Sequence, residues 1–205
     1  MTVVYKYDFP GWRLYQSLEG DLKTCFRYVP PISSNYDVYS EEFAKIIVSS
    51  AIEIESTLLS LKRELGLSGE KDIRALHSCL TSKYPNGHKM IVSVPRYSWN
   101  FSPLEDWSNQ NAPEWWGIGY NKFKHDRENY PGASSLRRAV YLLGSLQIVL
   151  LHYYRLKFGY VSLPASLAPE LIEPKIAYFQ DYYGPTPTVA QWFWRLPDDP
   201  ITQTE

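Results

Sequence analysis

Cysteine is scarce in this 205-residue chain, which contains only Cys25 and Cys79. The two residues lack CxxC spacing, which argues against a disulfide framework and against a zinc site based on paired cysteines. We expect both to be free thiols in a reducing compartment. The first residues are too few and too polar to resemble a secretory signal. The sequence therefore predicts a cytoplasmic protein.

The chain also lacks a surplus of either charge and a very long apolar run. It has 21 Lys and Arg against 22 Asp and Glu, for a net charge of −1. Broad nonspecific binding to nucleic acid relies on an excess of cations, so only a local basic patch remains open. The most apolar segment, 134–158, contains Gln147 and His152, and its apolar run is shorter than the roughly 20 residues that a bilayer requires. We predict a buried bundle helix, with His152 hydrogen-bonded in the core, and no membrane partner.

Aromatic residues, in contrast, are abundant. They make up 16% of the chain, with 17 Tyr and 7 Trp, while hydrophobic residues as a whole account for 44%. This content exceeds what one core usually needs, and Tyr and Trp suit interfaces because they bury area and keep a polar group. The length fits one domain with a sizeable core. Some of the rings are therefore expected to line an interface.

The apolar spacing is mainly that of helices. Helices are predicted over about 10–28, from the N-cap Ser40 to about Leu65 with Gly66 as the C-terminal cap, over about 71–84, after Pro113, and over about 134–158. Residues 88–94 read as a short extended segment, and 95–111 as a long loop. The predicted fold is a single, mainly α domain, 1–205. It comprises a core helical bundle over 40–158, an N-terminal helical segment over 10–29 and an irregular aromatic- and Pro-rich tail over 159–205, which wraps the bundle or reaches a partner subunit.

Polar chemistry is concentrated in residues 115–127, the motif segment. On an ideal α-helix this segment has a core stripe and an opposite polar face; the stripe holds Trp116, Tyr120, Phe123 and the stem of Arg127. Asn121 and His125 are four apart on the polar face and are therefore neighbours. An imidazole beside an amide and Lys124 can transfer a proton or bind an anion, as RNA phosphodiester cleavage requires. The alternative is a merely solvated polar stripe.

Other polar residues give weaker signals. Glu55 is predicted at the margin of the apolar arc of the second helix, paired with Lys124, His125 or Arg127, or else in water at the bundle edge. His77 and His88 lack the spacing of metal ligands. No metal or cofactor is therefore expected.

The motif segment resembles a divergent branch of the HEPN superfamily. The resemblance rests on Trp116, Tyr120, Asn121, Lys124, His125, Asp126 and Arg127, followed by a long apolar helix and preceded by a helix with Glu53 and Glu55. It implies a small HEPN-like α-helical bundle that is typically a homodimer, of the kind common in bacterial toxin–antitoxin, phage-defence and RNA-processing systems. Active members resemble metal-independent ribonucleases with a motif from each subunit at the dimer cleft.

Under this resemblance, His125 matches the motif histidine and Asn121 the polar residue before it. Tyr120 occupies the position of the motif arginine and cannot neutralise a phosphate, so Lys124 or Arg127 would have to supply that charge. Two hypotheses follow. The first is a homodimer that binds RNA or a nucleotide through these residues together with Tyr120, Asp126 and Glu55, has a cognate protein partner, and cleaves RNA with His125 as the base. The second is a noncatalytic dimeric interaction module in which the same polar residues are structural.

Overall fold

The computed structural model describes residues 11–159, 162–164, 167–175, 177–180 and 191–194. Within these ranges the chain is mainly helical, as predicted. Four α-helices exceed ten residues: α1 (Trp12–Cys25), α2 (Glu41–Glu64), α3 (Ile73–Lys83) and α5 (Leu136–Phe158). A π-helix (Trp115–Lys122) runs directly into the short helix α4 (Phe123–Asp126). None of the described helices is long and apolar enough to cross a membrane.

The main helices begin and end where local chemistry dictates. The Ser40 hydroxyl accepts a hydrogen bond from the Phe43 N–H at 3.1 Å and so caps the start of α2. At the other end of α2, Gly66 has a φ of 66°, a conformation that glycine adopts without strain. Ser135 caps α5 by accepting from the Arg138 N–H, and Gly159 ends that helix at a φ of 79°. These boundaries confirm the helices predicted around 40–65 and 134–158.

The core lies chiefly between α2 and α5, which form the most extensive contact between any two elements described. α5 is buried on nearly all sides, from Leu136 through Tyr154. His152 is fully buried, and its Nδ1 lies 2.7 Å from the Ile148 carbonyl oxygen, as expected of a hydrogen-bonded core histidine. α1 packs on both helices, and α3 packs on α2. Cys25 and Cys79 are free thiols.

Two small antiparallel sheets flank the helices. One has the strand order β2-β1-β4, with β1 Val92–Val94, β2 Trp99–Phe101 and β4 Glu173–Pro174. The other has the order β3-β6-β5, with β3 Ser162–Pro164, β5 Ala177–Gln180 and β6 Gln191–Trp194. The extended segment at 88–94 is confirmed as β1. The prediction of an unbroken loop over 95–111 is wrong, because β2 returns to pair with β1 after one short 3₁₀ turn.

The C-terminal tail contributes β3, β5 and β6 to the second sheet, and its segment Leu167–Lys175 is a strap that lies across α1 and β1. The buried carboxylate of Glu19 accepts hydrogen bonds from three successive backbone N–H groups of the strap, at 2.9 to 3.0 Å; these belong to Glu170, Leu171 and Ile172. The Trp12 indole also donates to the Leu167 carbonyl at 2.8 Å. This part of the tail therefore packs on the bundle. The predictions for residues 1–10 and for most of the remaining tail lie outside the described residues.

Candidate functional site

The motif segment is not the regular α-helix that its spacing predicts. Its first eight residues, Trp115–Lys122, form a π-helix, whose hydrogen bonds join residues five apart. Burial occurs in adjacent pairs, Trp115 with Trp116 and Gly119 with Tyr120. Both pairs therefore lie on the side of the π-helix that faces the core. Of the predicted stripe, Trp116 and Tyr120 are buried, but Phe123 is only half-buried and Arg127 is exposed, so the prediction is wrong for the last turn.

Glycine and one arginine allow the π-helix to lie close to α5. A Cβ on Gly119 would be 3.1 Å from Cδ of Arg138, so only a residue without a side chain fits without displacement. The Arg138 guanidinium donates to Oε1 of Glu114 through Nε at 3.0 Å and Nη2 at 2.5 Å. It also donates to the Gly132 carbonyl at 2.9 Å. One arginine thus links the start of α5 to the start of the motif segment.

The π-helix leaves a set of polar side chains on the surface. Asn121, Lys124 and His125, here called the polar strip, are all exposed. The side chains of Asn121 and His125 make no hydrogen bond or ion pair with any other group in the described ranges. The Lys124 ammonium lies 5.4 Å from the centre of the Tyr120 ring. The strip is therefore accessible to a ligand or to a second copy of the chain.

Tyr120, at the position of the motif arginine, is a core residue. It is 6% exposed, and its ring centre lies 5.0 Å from that of Trp116. Its phenol ring therefore cannot contact a phosphate on the surface. Among the cations proposed to replace the arginine, Lys124 lies directly over this ring, and a cation is attracted to the face of an aromatic side chain.

The remaining predicted site residues have partners within the chain. Arg127 pairs with Glu41 at the start of α2, with 3.8 Å between the two charged groups. Asp126 accepts a hydrogen bond from the Asn129 side chain at 2.6 Å. Both contacts lie near the surface, where an ion pair contributes only about 0–1 kcal/mol. Arg127 and Asp126 thus help to attach α4 to its surroundings and are weaker ligand candidates than the polar strip.

Of the two alternatives predicted for Glu55, the ion pair with Lys124, His125 or Arg127 does not form among the described residues. Arg127 lies beside Glu41, and Glu55 is about 21 Å further along α2 at 1.5 Å per residue. Glu55 is half-buried at the side of the helix. The charge pairing that joins α2 to the motif segment therefore occurs at the first residue of the helix.

Glu53 is the other acidic residue of α2 on which the family resemblance rests. Its carboxylate is more restricted by its surroundings than that of Glu55. Desolvation by burial raises its pKa above the usual range, and the Thr57 hydroxyl, which donates to it at 3.5 Å, counteracts the shift in part. The Glu53 side chain packs against Gly11, at the start of α1. A Cβ added to this glycine would lie 2.5 Å from one carboxylate oxygen of Glu53. This is a helix–helix contact, remote from the motif segment.

Three of the four histidines lie near one another, away from the polar strip in sequence. The ring centres of His77 and His88 are 5.2 Å apart, and Nε2 of His152 lies 2.8 Å from the Cβ position of Gly87. Sequence spacing gave no sign of this proximity, because the residues belong to α3, a 3₁₀ turn and α5. In the described ranges, no three His, Cys, Asp or Glu side chains are arranged to hold a metal ion.

The buried Glu19 was also missed by the sequence analysis. It is 3% exposed, and its partners lie about 150 residues away along the chain. The only available signal was its position beside Leu18 and Leu22 on the apolar side of α1. Its role is to hold the strap.

Comparison of the chain with protein-family models, with curated proteins and with solved structures finds no match.

Proposed function

We propose that this protein is a HEPN-like helical protein of the bacterial defence or toxin–antitoxin type that binds RNA at the polar strip and acts as a homodimer. The proposal rests on one observation above all. The Asn121 and His125 side chains are exposed on a distorted helix and make no hydrogen bond or ion pair with a described residue, so no such bond of theirs holds this chain together. π-helical turns are frequently found at functional sites.

The chemistry of the strip fits a phosphodiester. The Lys124 ammonium neutralises a phosphate, while the Asn121 amide and the His125 imidazole donate hydrogen bonds to its oxygens. Lys122 and Tyr130 stand close by, with the ammonium 4.2 Å from the ring centre. Both are exposed, and an exposed aromatic ring can stack on an unpaired base. The group therefore combines phosphate and base contacts on one surface.

Dimerisation through the same surface would complete the site. One polar strip supplies one imidazole and one cation, and cleavage at a phosphate needs more proton-transfer groups and more positive charge. Two strips that face each other in a dimer would supply two imidazoles and two cations and would enclose the RNA between them. In this arrangement His125 takes the proton of the 2′-hydroxyl, whose oxygen attacks phosphorus and forms a 2′,3′-cyclic phosphate as the bond to the 5′-oxygen breaks. The protonated imidazole of the second subunit donates a proton to the departing 5′-oxygen, and Lys124 stabilises the charge that develops on phosphorus-bound oxygen.

A noncatalytic module is the second candidate, and the burial of Tyr120 favours it. The position of the motif arginine faces the core, and Arg127 is paired with Glu41. Of the two cations proposed to replace the motif arginine, Lys124 alone is then left to stabilise the transition state. In this version the strip binds RNA or the second subunit without cleaving anything.

RNA binding is tested by fluorescence anisotropy with a labelled single-stranded oligonucleotide. The variant Lys124→Gln/His125→Ala should bind about tenfold more weakly, because a charge-assisted hydrogen bond to phosphate is lost. Lys83→Gln, which removes an exposed lysine at the end of α3, serves as the control. Equal affinities for wild type, double variant and control would refute binding at the strip.

Cleavage and dimerisation are measured separately. Incubation of wild type and His125→Ala with the RNA in EDTA distinguishes the two candidates, since only the nuclease predicts cleavage that depends on His125. For the dimer, Asn121→Cys in a Cys25→Ser background should form an intermolecular disulfide on mild oxidation. A chain that stays monomeric in sedimentation and does not cross-link would remove the dimer from the proposal.

A further inference from the structure

A second candidate binding site lies at the C-terminal end of α2. It is a cavity of about 380 Å³ between the last turns of this helix and the loop that leads to α3. Its charged lining residues are all cations: Lys62, Arg63 and Lys71. Its apolar wall is formed by Leu59 and Leu67, and Leu67 is 43% exposed. The cavity therefore combines a positive charge with a hydrophobic surface.

Lys62 is unusual because it is buried without an acidic partner. It is 9% exposed, and its ammonium donates to the carbonyl oxygens of Gly69 at 2.8 Å and Glu70 at 2.6 Å. No carboxylate in the described ranges forms an ion pair with it. Lysine is rarely buried unless its charge is compensated. Two neutral carbonyls use two of its three donors, and an anion in the cavity would use the third.

The loop adds further donors around the cavity. Arg63 and Lys71 are exposed, and among the described residues the Arg63 guanidinium donates a hydrogen bond only to the Ser60 hydroxyl, at 2.9 Å. The backbone N–H groups of Ser68 and Gly69 have no acceptor among the described residues. Successive free N–H groups beside cations are a common feature of anion sites. Several donors with positive charge match the three terminal oxygens of a phosphate better than a single carboxylate.

We propose that this cavity binds a small phosphate monoester whose organic part lies on Leu59 and Leu67. The phosphate accepts hydrogen bonds from Lys62, Arg63 and Lys71, and the leucines cover the adjacent apolar group. The site is about 30 Å from the polar strip, because α2 spans its 24 residues between Glu41, beside the motif segment, and Glu64. The proposal is thus independent of RNA binding at the strip.

Titration of the full chain with phenyl phosphate, followed by amide NMR shifts, tests the proposal. Saturable shifts are expected in the amides from Lys62 to Lys71. At constant ionic strength, inorganic phosphate and benzyl alcohol should each bind more weakly than phenyl phosphate, because each supplies only half of the contacts. Arg63→Gln/Lys71→Gln should weaken phenyl phosphate binding about tenfold, as expected for loss of charge-assisted contacts. Both residues are exposed, so the variant keeps the Lys62 contacts and should fold.

The control Lys83→Gln/Lys89→Gln removes the same charge from exposed positions outside the cavity. It should leave the affinity unchanged. Absence of saturation up to about 10 mM phenyl phosphate, or equal losses in both double variants, would show that Lys62 merely ties the loop to α2 and would overturn the site. Inorganic phosphate binding as tightly as phenyl phosphate would overturn the assignment of the leucine surface.

Discussion

Replacement of Glu19 by alanine should release the strap, Leu167–Lys175, and destabilise the whole domain. The Glu19 carboxylate accepts from the N–H groups of Leu171 and Ile172 at 2.9 and 3.0 Å. Both residues are buried, at 8% and 0% exposure, so water cannot replace the lost acceptor without opening the structure. A buried donor left without a partner costs about 1–3 kcal/mol, which gives about 2–6 kcal/mol for the two.

That magnitude is large beside the roughly 5–15 kcal/mol that stabilises a typical domain. Glu19→Gln should cost less, because an amide oxygen in the place of Oε1 retains three donors, namely Tyr15, Leu171 and Ile172. Only the Glu170 N–H, which donates to Oε2 of Glu19 at 2.9 Å, then loses its acceptor, because the NH₂ group of the glutamine takes the place of that oxygen. The expected order of stability is wild type, then Glu19→Gln, then Glu19→Ala.

Urea denaturation followed by circular dichroism measures the free energy of unfolding of each variant. Hydrogen exchange at Leu171 and Ile172 reports whether the strap opens locally before the bundle unfolds. Asp21→Ala is the matched control, because Asp21 lies on the same helix in a surface ion pair with Lys45 at 3.2 Å. If Glu19→Ala and this control differ by less than about 1 kcal/mol, the reasoning on buried unpaired donors fails.

Three further predictions concern the helices and the motif segment. Gly119→Ala should lower both the melting temperature and the affinity for RNA, because the added Cβ would press on Arg138. The control is Gly117→Ala, whose added carbon has no atom within 4 Å, and it should lower both quantities less. Ser40→Ala should cost about 1 kcal/mol in urea denaturation by removing the α2 cap; a cost near zero would contradict that role. Glu53→Gln should raise the melting temperature near neutral pH. The pKa of Glu53 is raised in the folded state, so its contribution to stability is complete at low pH and is lost as pH rises through the folded pKa. The gap between Glu53→Gln and wild type should therefore close in acid, and a gap independent of pH would contradict the argument.

Much of the helical pattern could be predicted because its causes are local. Ser40, Gly66 and Gly159 act on backbone groups within a few residues of themselves, so each boundary is encoded where it occurs. The burial of His152 follows from the apolar residues on every side of it. Tyr120 was assigned to the core stripe on spacing alone, and its 6% exposure agrees.

The candidate site was predicted only in part. The exposed positions of Asn121 and His125 follow from the polar face of the segment, but the π-helical turn does not. The π-helical turn depends on the burial of Trp115 with Trp116 and of Gly119 with Tyr120 in the core. It also depends on the contact of Gly119 with Arg138, which belongs to another helix. Arg127 likewise pairs with Glu41 and not with Glu55, because packing sets the position of α4 along α2.

The sequence by itself determined that this protein is mainly helical, where its main helices start and stop, and that Asn121 and His125 of the motif segment reach the surface. These properties depend on neighbours within a turn or two of the chain. Only the tertiary structure decided that Glu19 holds a strap about 150 residues away, that β1 pairs with β4, and that Lys62 is buried beside a cavity with no acidic partner among the described residues. Such contacts join distant segments, and their free energy arises only when packing removes both partners from water.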